Sequence, residues 1–240
     1  KEQKEQAKSV VFYSIYKRGE DFQAQKEPAK AGREFQRAFD EGTRIGYAKR
    51  DDRALALFKS GIEYGNSKEL RRSIKSFEVY ADSFPDLKDA PNALWNVQST
   101  YADLKEMKPA AKTAERLADN YPSYSVNNGA ASAEIALYNA EYYLEQSAKR
   151  ANAAGDSVEG KSLNNDAIRV SEKFVKRYPK SEYASTMDFG IANLYFLTGE
   201  EEKAYQKYRQ FAATFPNDKR NVQALYDVGM NHLRKNRRVE

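Results

Sequence analysis

The only imidazole this chain offers a catalytic or metal site is His232, and it has no cysteine. A nucleophile needs a base within hydrogen-bond reach, and no partner pattern accompanies His232. The residue falls at helical spacing from Leu225 and Val228, which reads as a packed structural histidine. The strings G-x-x-x-x-G-K-[ST] and H-E-x-x-H are absent. Glu200, Glu201 and Glu202 follow Thr198 and Gly199, where acids match the positive end of the helix they open better than they match a metal. Arg234, Lys235, Arg237 and Arg238 read as a solvated helix end beside a negative dipole, not as a phosphate site. No catalytic, cofactor-binding or metal-ligating residues are expected, and the chain reads as a non-enzyme.

What remains is a set of aromatics suited to binding: Phe58, Trp95, Tyr138, Phe189 and Tyr226, each directly after the residue that begins a recurring apolar pattern. Four residues beyond them stand Ile62, Ser99, Tyr142, Asn193 and Met230. At 100° per residue, Trp95 points about 160° away from Val97, so it cannot share the face made by Leu94, Val97 and Tyr101. These ten residues are the candidates for holding a partner, unless the aromatics pack against a neighbouring repeat.

The elements that position them follow from a repeat. An aromatic-proline pair occurs at Phe84-Pro85, Tyr121-Pro122, Tyr178-Pro179 and Phe215-Pro216, with the prolines 37, 57 and 37 residues apart. Proline and the residue before it resist helical continuation, so each pair marks a helix end. Twelve residues before each proline is a small residue (Ser73, Ala110, Ala167, Ala204), and four residues later comes Phe77, Ala114, Ser171 or Tyr208. Nine residues after prolines 85, 179 and 216 are Leu94, Asp188 and Leu225, and seven further on are Tyr101, Tyr195 and His232.

The spacing predicts helix pairs at 7–24 with 28–46, 50–64 with 68–83, 89–104 with 108–120, 130–152 with 162–177, and 182–198 with 200–214, then a final helix from Lys219 to Lys235. Residues 1–47 match the repeat poorly and read as an irregular or capping pair. Residues 48–240 are regular, with an insertion near 145–164 in which Ala153–Asn165 reads as a loop around Gly155 and Gly160. The small position after the core pattern is Gln98 in one repeat and Glu141 in another, where looser helix packing is expected.

Composition agrees with helix: 31% of residues are charged, with 12 Gly and 7 Pro, while 17 Tyr and 12 Phe supply buried bulk. Forty basic residues against 35 acidic ones leave a net charge of +5, which spread over this length is no nucleic-acid footprint. No apolar run approaches the roughly 18 residues of a membrane span. The start at Lys1 and the end just after a first-type helix read as a piece of a longer chain, leaving room for a signal peptide or lipid anchor in a precursor.

Residues Leu57, Ser60, Gly61, Tyr64, Ser73, Phe77 and Pro85, and again Asp188, Ile191, Ala192, Tyr195, Ala204, Tyr208 and Pro216, resemble the tetratricopeptide repeat, W-x2-L-G-x2-Y followed by A-x3-F and Pro. The resemblance implies an all-α superhelical solenoid of antiparallel helix pairs, about five pairs plus a final helix, forming one domain over 1–240. It also implies a concave groove lined by the first helix of each pair, where the ten candidates point. The 37-residue spacing and the ending Tyr178-Pro179-Lys180-Ser181 resemble bacterial envelope members of the family, namely outer-membrane assembly lipoproteins and the periplasmic partner of the Tol-Pal system. That implies a scaffold or adaptor for envelope proteins, periplasmic or bound to the outer membrane, with a cytoplasmic location as the alternative. Two other readings stay open: a docking module of a larger enzyme, and a cytosolic co-chaperone that grips acidic tails, although Asn96 and Asn193 do not fall in one column.

Overall fold

Each of the four aromatic-proline pairs adopts the same backbone. Phe84, Tyr121, Tyr178 and Phe215 have φ of −134°, −132°, −127° and −123°. Their N–H groups donate to the carbonyls of Tyr80, Leu117, Phe174 and Phe211 four residues earlier. The last helical hydrogen bond is thus made, and the proline that follows, having no N–H, ends the helix there.

A computed structural model describes residues 2–237, apart from the side chains of 231, 232 and 234–237. The expectations for His232 and for the basic run from Arg234 to Arg238 lie outside the described residues. The fold is all-α. Among the described residues there are eleven helices: α1 (Glu2–Ala24), α2 (Pro28–Arg44), α3 (Arg50–Asn66), α4 (Leu70–Ser83), α5 (Ala90–Asp103), α6 (Met107–Asn120), α7 (Ala133–Ala153), α8 (Ser157–Arg177), α9 (Ala184–Leu197), α10 (Glu201–Thr214) and α11 (Asn221–Arg237). Two short strands, β1 (Ser125–Val126) and β2 (Ala131–Ser132), pair antiparallel ahead of α7. The chain divides into two compact units, residues 1–105 and 106–240.

Within the pairs, small residues let rings approach the facing helix. In the first unit a Cβ on Gly61 of α3 would lie 2.8 Å from the Phe77 ring of α4. Gly19 and Phe35 repeat the contact between α1 and α2, at 2.7 Å. The first pair, expected to be irregular, therefore carries the same small-residue and aromatic contact as α3 and α4. The small residues Ser73, Ala110, Ala167 and Ala204 are all buried, as are Phe77, Ala114, Ser171 and Tyr208. A third column, three residues further on, is Tyr80, Leu117, Phe174 and Phe211, and it is buried as completely. Spacings of 4, 3 and again 4 keep these columns on one helical stripe.

Several expectations are corrected. The loop across Ala153–Asn165 shrinks to 154–156, because α7 and α8 are each 21 residues long and absorb the insertion as helix. The Oδ1 of Asn152 sits where a Cβ on Gly160 would be, at 1.9 Å, so that glycine serves helix contact and not a break. Residues 130–132, expected in the helix, belong instead to a turn and β2. Tyr101 and Tyr195, expected in the core, are half-buried because their hydroxyls reach outward to Glu78 (3.0 Å) and Glu172 (3.2 Å). Leu225, expected on a core face of α11, is exposed.

Of the two polar residues at the small position, Gln98 is buried and Glu141 half-buried. Gln98 is fully buried, with neither amide atom hydrogen-bonded. Burial, together with the negative Glu145 one turn away, pushes the Glu141 carboxyl up to about 8.

The turns inside the pairs share a feature that proline spacing does not reveal. Lys26, Lys68, Lys105, Gly155 and Gly199 all have left-handed φ, from 59° to 83°, and each precedes Glu or Asp. The N–H groups of Glu27, Glu69, Asp156 and Glu200 each close onto a carbonyl five residues back, as Glu69 does onto Tyr64 at 2.9 Å. A lysine pays about 1 kcal/mol or more for this conformation and glycine does not. Lys68→Gly is therefore expected to stabilise the protein by about 0.5–1 kcal/mol, net of the glycine's extra chain entropy. A urea melt checks this: the midpoint should rise, and a fall would contradict the assignment of the turn.

Candidate interaction surface

In the first unit, α3 carries a stripe at positions i, i+3 and i+7: Leu55, Phe58 and Ile62. Phe58 is half-buried, its ring edge-on to Phe77 and to Tyr80 of α4, both at 5.2 Å. Its two neighbours on the stripe stay in water, Leu55 at 49% and Ile62 at 41% exposure. Trp95 and Ser99 of α5 are half-buried.

In the second unit, α7 repeats the stripe with Ile135, Tyr138 and Tyr142. Tyr138 is half-buried against Tyr183 at 4.7 Å and Phe174 at 6.4 Å. Tyr142 is 49% exposed, its ring 5.9 Å from Tyr143. On α9, Phe189 packs on Tyr208 (5.3 Å) and Phe211 (5.2 Å), under the Arg220 guanidinium at 5.4 Å. The exposed Asn193 accepts a hydrogen bond from the Tyr208 hydroxyl. On α11, Tyr226 (62% exposed) and Met230 line a recess of about 340 Å³ with Phe196, Tyr205, Tyr208 and Asp227.

The expected column thus divides. Phe58, Tyr138 and Phe189 lean on the second helix of their own pair, while Ile62, Tyr142 and Asn193, one turn on, reach solvent. Leu55 and Ile135 belong to the same stripes and were not among the sequence candidates. Their signal is simple: each lies three residues before the aromatic, with an apolar side chain where the other repeats have Asn92, Thr186 and Gln223.

A charged surface lies on the second helices of the second unit. Glu115 and Asp119 of α6 meet Arg169, Lys173 and Arg177 of α8: Arg169 pairs with Glu115, Lys173 bridges Glu115 and Asp119, and Arg177 reaches Asp119 at 2.9 Å. Arg169, then Lys173, hold the Glu115 carboxyl down at about 2. This ladder spends its charges internally and ties α6 to α8. Among the described residues no group of three or more His, Asp or Glu could hold a metal ion.

Residues 187–218, spanning α9 and α10, match the tetratricopeptide repeat family model. The protein's fold is an all-α array of helix pairs of that type. No curated protein matches the chain. Among solved structures, MamA AMB-1 is similar at 14% identity over 90% of this chain and 97% of that one, with a TM-score of 0.43. MamA from Desulfovibrio magneticus RS-1 is also 14% identical, covering 88% and 97%, with a TM-score of 0.40. A Podosopora anserina putative kinesin light chain with nearly identical TPR-like repeats is 10% identical, covering 85% and 94%, with a TM-score of 0.38.

Proposed function

We propose that this chain is a non-catalytic scaffold that holds a helix or extended segment of another protein on the first-helix faces of its pairs. The observation that carries this reading is the apolar stripe left in water on α3, with Leu55 and Ile62 exposed on either side of a Phe58 that the core fixes. The α7 stripe, with Tyr142 exposed beyond a seated Tyr138, supports it independently. Apolar anchors pre-set on a rigid helix lose little entropy on binding, which is how a few residues come to dominate affinity.

The setting we propose is a bacterial cell-envelope complex, at the periplasmic or outer-membrane side, with other envelope proteins as partners and a lipid anchor in a longer precursor. The 37-residue spacing and the Tyr178-Pro179-Lys180-Ser181 ending support it. No helix among the described residues is long and apolar enough to cross a membrane.

The test is a partner recovered from the source cells and titrated against variants. Ile62→Asp and Tyr142→Asp, each placing a charge in an apolar contact, are expected to weaken binding tenfold or more while leaving the melting temperature within a few degrees. Binding equal to that of the unmodified protein in both variants would rule the first-helix faces out. Fractionation of those cells reads the compartment, and recovery in the cytosol alone would overturn the envelope assignment.

A further inference from the structure

The insertion between α6 and α7 builds a wall. The Tyr124 N–H donates to the Tyr121 carbonyl and the Ala133 N–H to the Tyr124 carbonyl, each at 2.9 Å. β1 and β2 pair between them, and Asn127, Asn128 and Gly129 close the hairpin with left-handed φ of 53°, 54° and 87°. Ser132 caps α7, accepting from the Ile135 N–H at 3.2 Å. The hairpin encloses one side of an open recess of about 660 Å³. The other sides are the start of α7, the end of α8 and the residues leading into α9, all in the second unit.

The chemistry of the lining is one-sided. Three phenol rings (Tyr124, Tyr178 and Tyr183) and two carboxylates (Glu134 and Glu182) face it, with no Lys, Arg or His among the lining residues. Tyr183 is seated on Tyr138 at 4.7 Å and Tyr178 on Phe174 at 5.3 Å, so the core fixes both rings. Neither Glu134 nor Glu182 is in an ion pair with a described residue, although the chain as a whole carries a net charge of +5. The nearby cation Arg177 does not line the recess; it is held by the Ala118 carbonyl (2.7 Å) and Asp119 (2.9 Å) and acts on the Tyr178 hydroxyl at the recess edge. Lys180 is exposed and does not line the recess. The adjacent charge of Glu182, and then desolvation, raise the Tyr183 hydroxyl above its usual range.

Carboxylates beside fixed ring faces, in a recess without its own cation, attract an ammonium or guanidinium through both Coulomb and ring-quadrupole terms. A recess this open admits the side chain together with the backbone that carries it. We propose that it is a binding site for a lysine or arginine side chain presented by an extended segment of a partner protein. This rests on the reading of the chain as a protein scaffold; the recess borders the α7 stripe at Ile135 but does not depend on the exposed Ile62 or Tyr142.

The test is a titration of the 15N-labelled chain with capped pentapeptides, Gly-Ser-Xaa-Ser-Gly, in which Xaa is arginine, lysine or norleucine. The cationic peptides are expected to shift the amides of 123–135 and 182–184 saturably, and the norleucine peptide is not. Glu134→Gln with Glu182→Gln should weaken the cationic peptides tenfold or more, and Tyr183→Leu, which keeps an apolar group against Tyr138, several-fold. Equal shifts from norleucine would overturn the proposal. So would cationic shifts scattered over the surface and unchanged in the glutamine variants. If Ile62→Asp abolishes partner binding while the glutamine variants bind the peptides as before, the recess falls and the first-helix reading stands. If the recess binds as expected while Ile62→Asp and Tyr142→Asp change nothing, the reverse holds.

Discussion

Phe77→Ala is expected to lower the free energy of unfolding by about 3–5 kcal/mol. The ring is 3% exposed, lies where a Cβ on Gly61 would touch it at 2.8 Å, and meets the edge of Phe58 at 5.2 Å. Its removal leaves a void bounded by two helices whose spacing is already set by a glycine, so little collapse is available to fill it. The same geometry predicts a coupling. Gly61→Ala alone forces its new methyl into the ring and should destabilise by about 1–3 kcal/mol, yet in the Phe77→Ala background the methyl enters vacated space and should cost much less. Urea unfolding followed by helical circular dichroism measures all three variants. A loss below 1 kcal/mol for Phe77→Ala, or strictly additive effects, would mean that this contact does not hold the pair together.

Lys207→Met is expected to cost about 3 kcal/mol, for an electrostatic reason. Asp188 is 3% exposed and stands where Leu57, Leu94 and Leu137 stand in other first helices, all of them buried. Its carboxylate survives there because the Lys207 ammonium of α10 reaches it at 2.5 Å. Removing the cation strands a buried charge, which is far costlier than the net worth of the pair. The double variant Asp188→Leu with Lys207→Met restores the residue type of the other repeats and should return to within about 1 kcal/mol of the starting stability. A Lys207→Met protein as stable as the parent would show that Asp188 is hydrated.

The proline pairs were legible because proline acts locally: it lacks an N–H wherever it stands, so Phe84, Tyr121, Tyr178 and Phe215 end helices alike. The small residue and its partner four positions on were legible for the same reason. The column of Tyr80, Leu117, Phe174 and Phe211 was equally periodic, but its mixed chemistry hides it from a search for identical letters. The first pair escaped because α2 has no terminal proline and the Gly19-Phe35 contact stands 42 residues, not 37, before Gly61-Phe77. Gly155 and Gly160 looked alike in sequence; one supplies a left-handed turn and the other a close helix contact with Asn152, a difference that only the facing helix decides. For the surface, helical angle gave the direction of Phe58, Tyr138 and Phe189 but not the height of the rings around them. Tyr80, Tyr183 and Tyr208 rise far enough to bury what the angle alone left exposed.

Partners held on the first-helix faces should crosslink from those faces in the cell. A photoreactive phenylalanine analogue placed at Ile62, at Tyr142, or at the exposed Lys112 of the second helix α6 is irradiated in the source cells. A discrete crosslinked partner is expected from positions 62 and 142 and none from 112. A partner captured from 112 while 62 and 142 stay silent would contradict the first-helix reading.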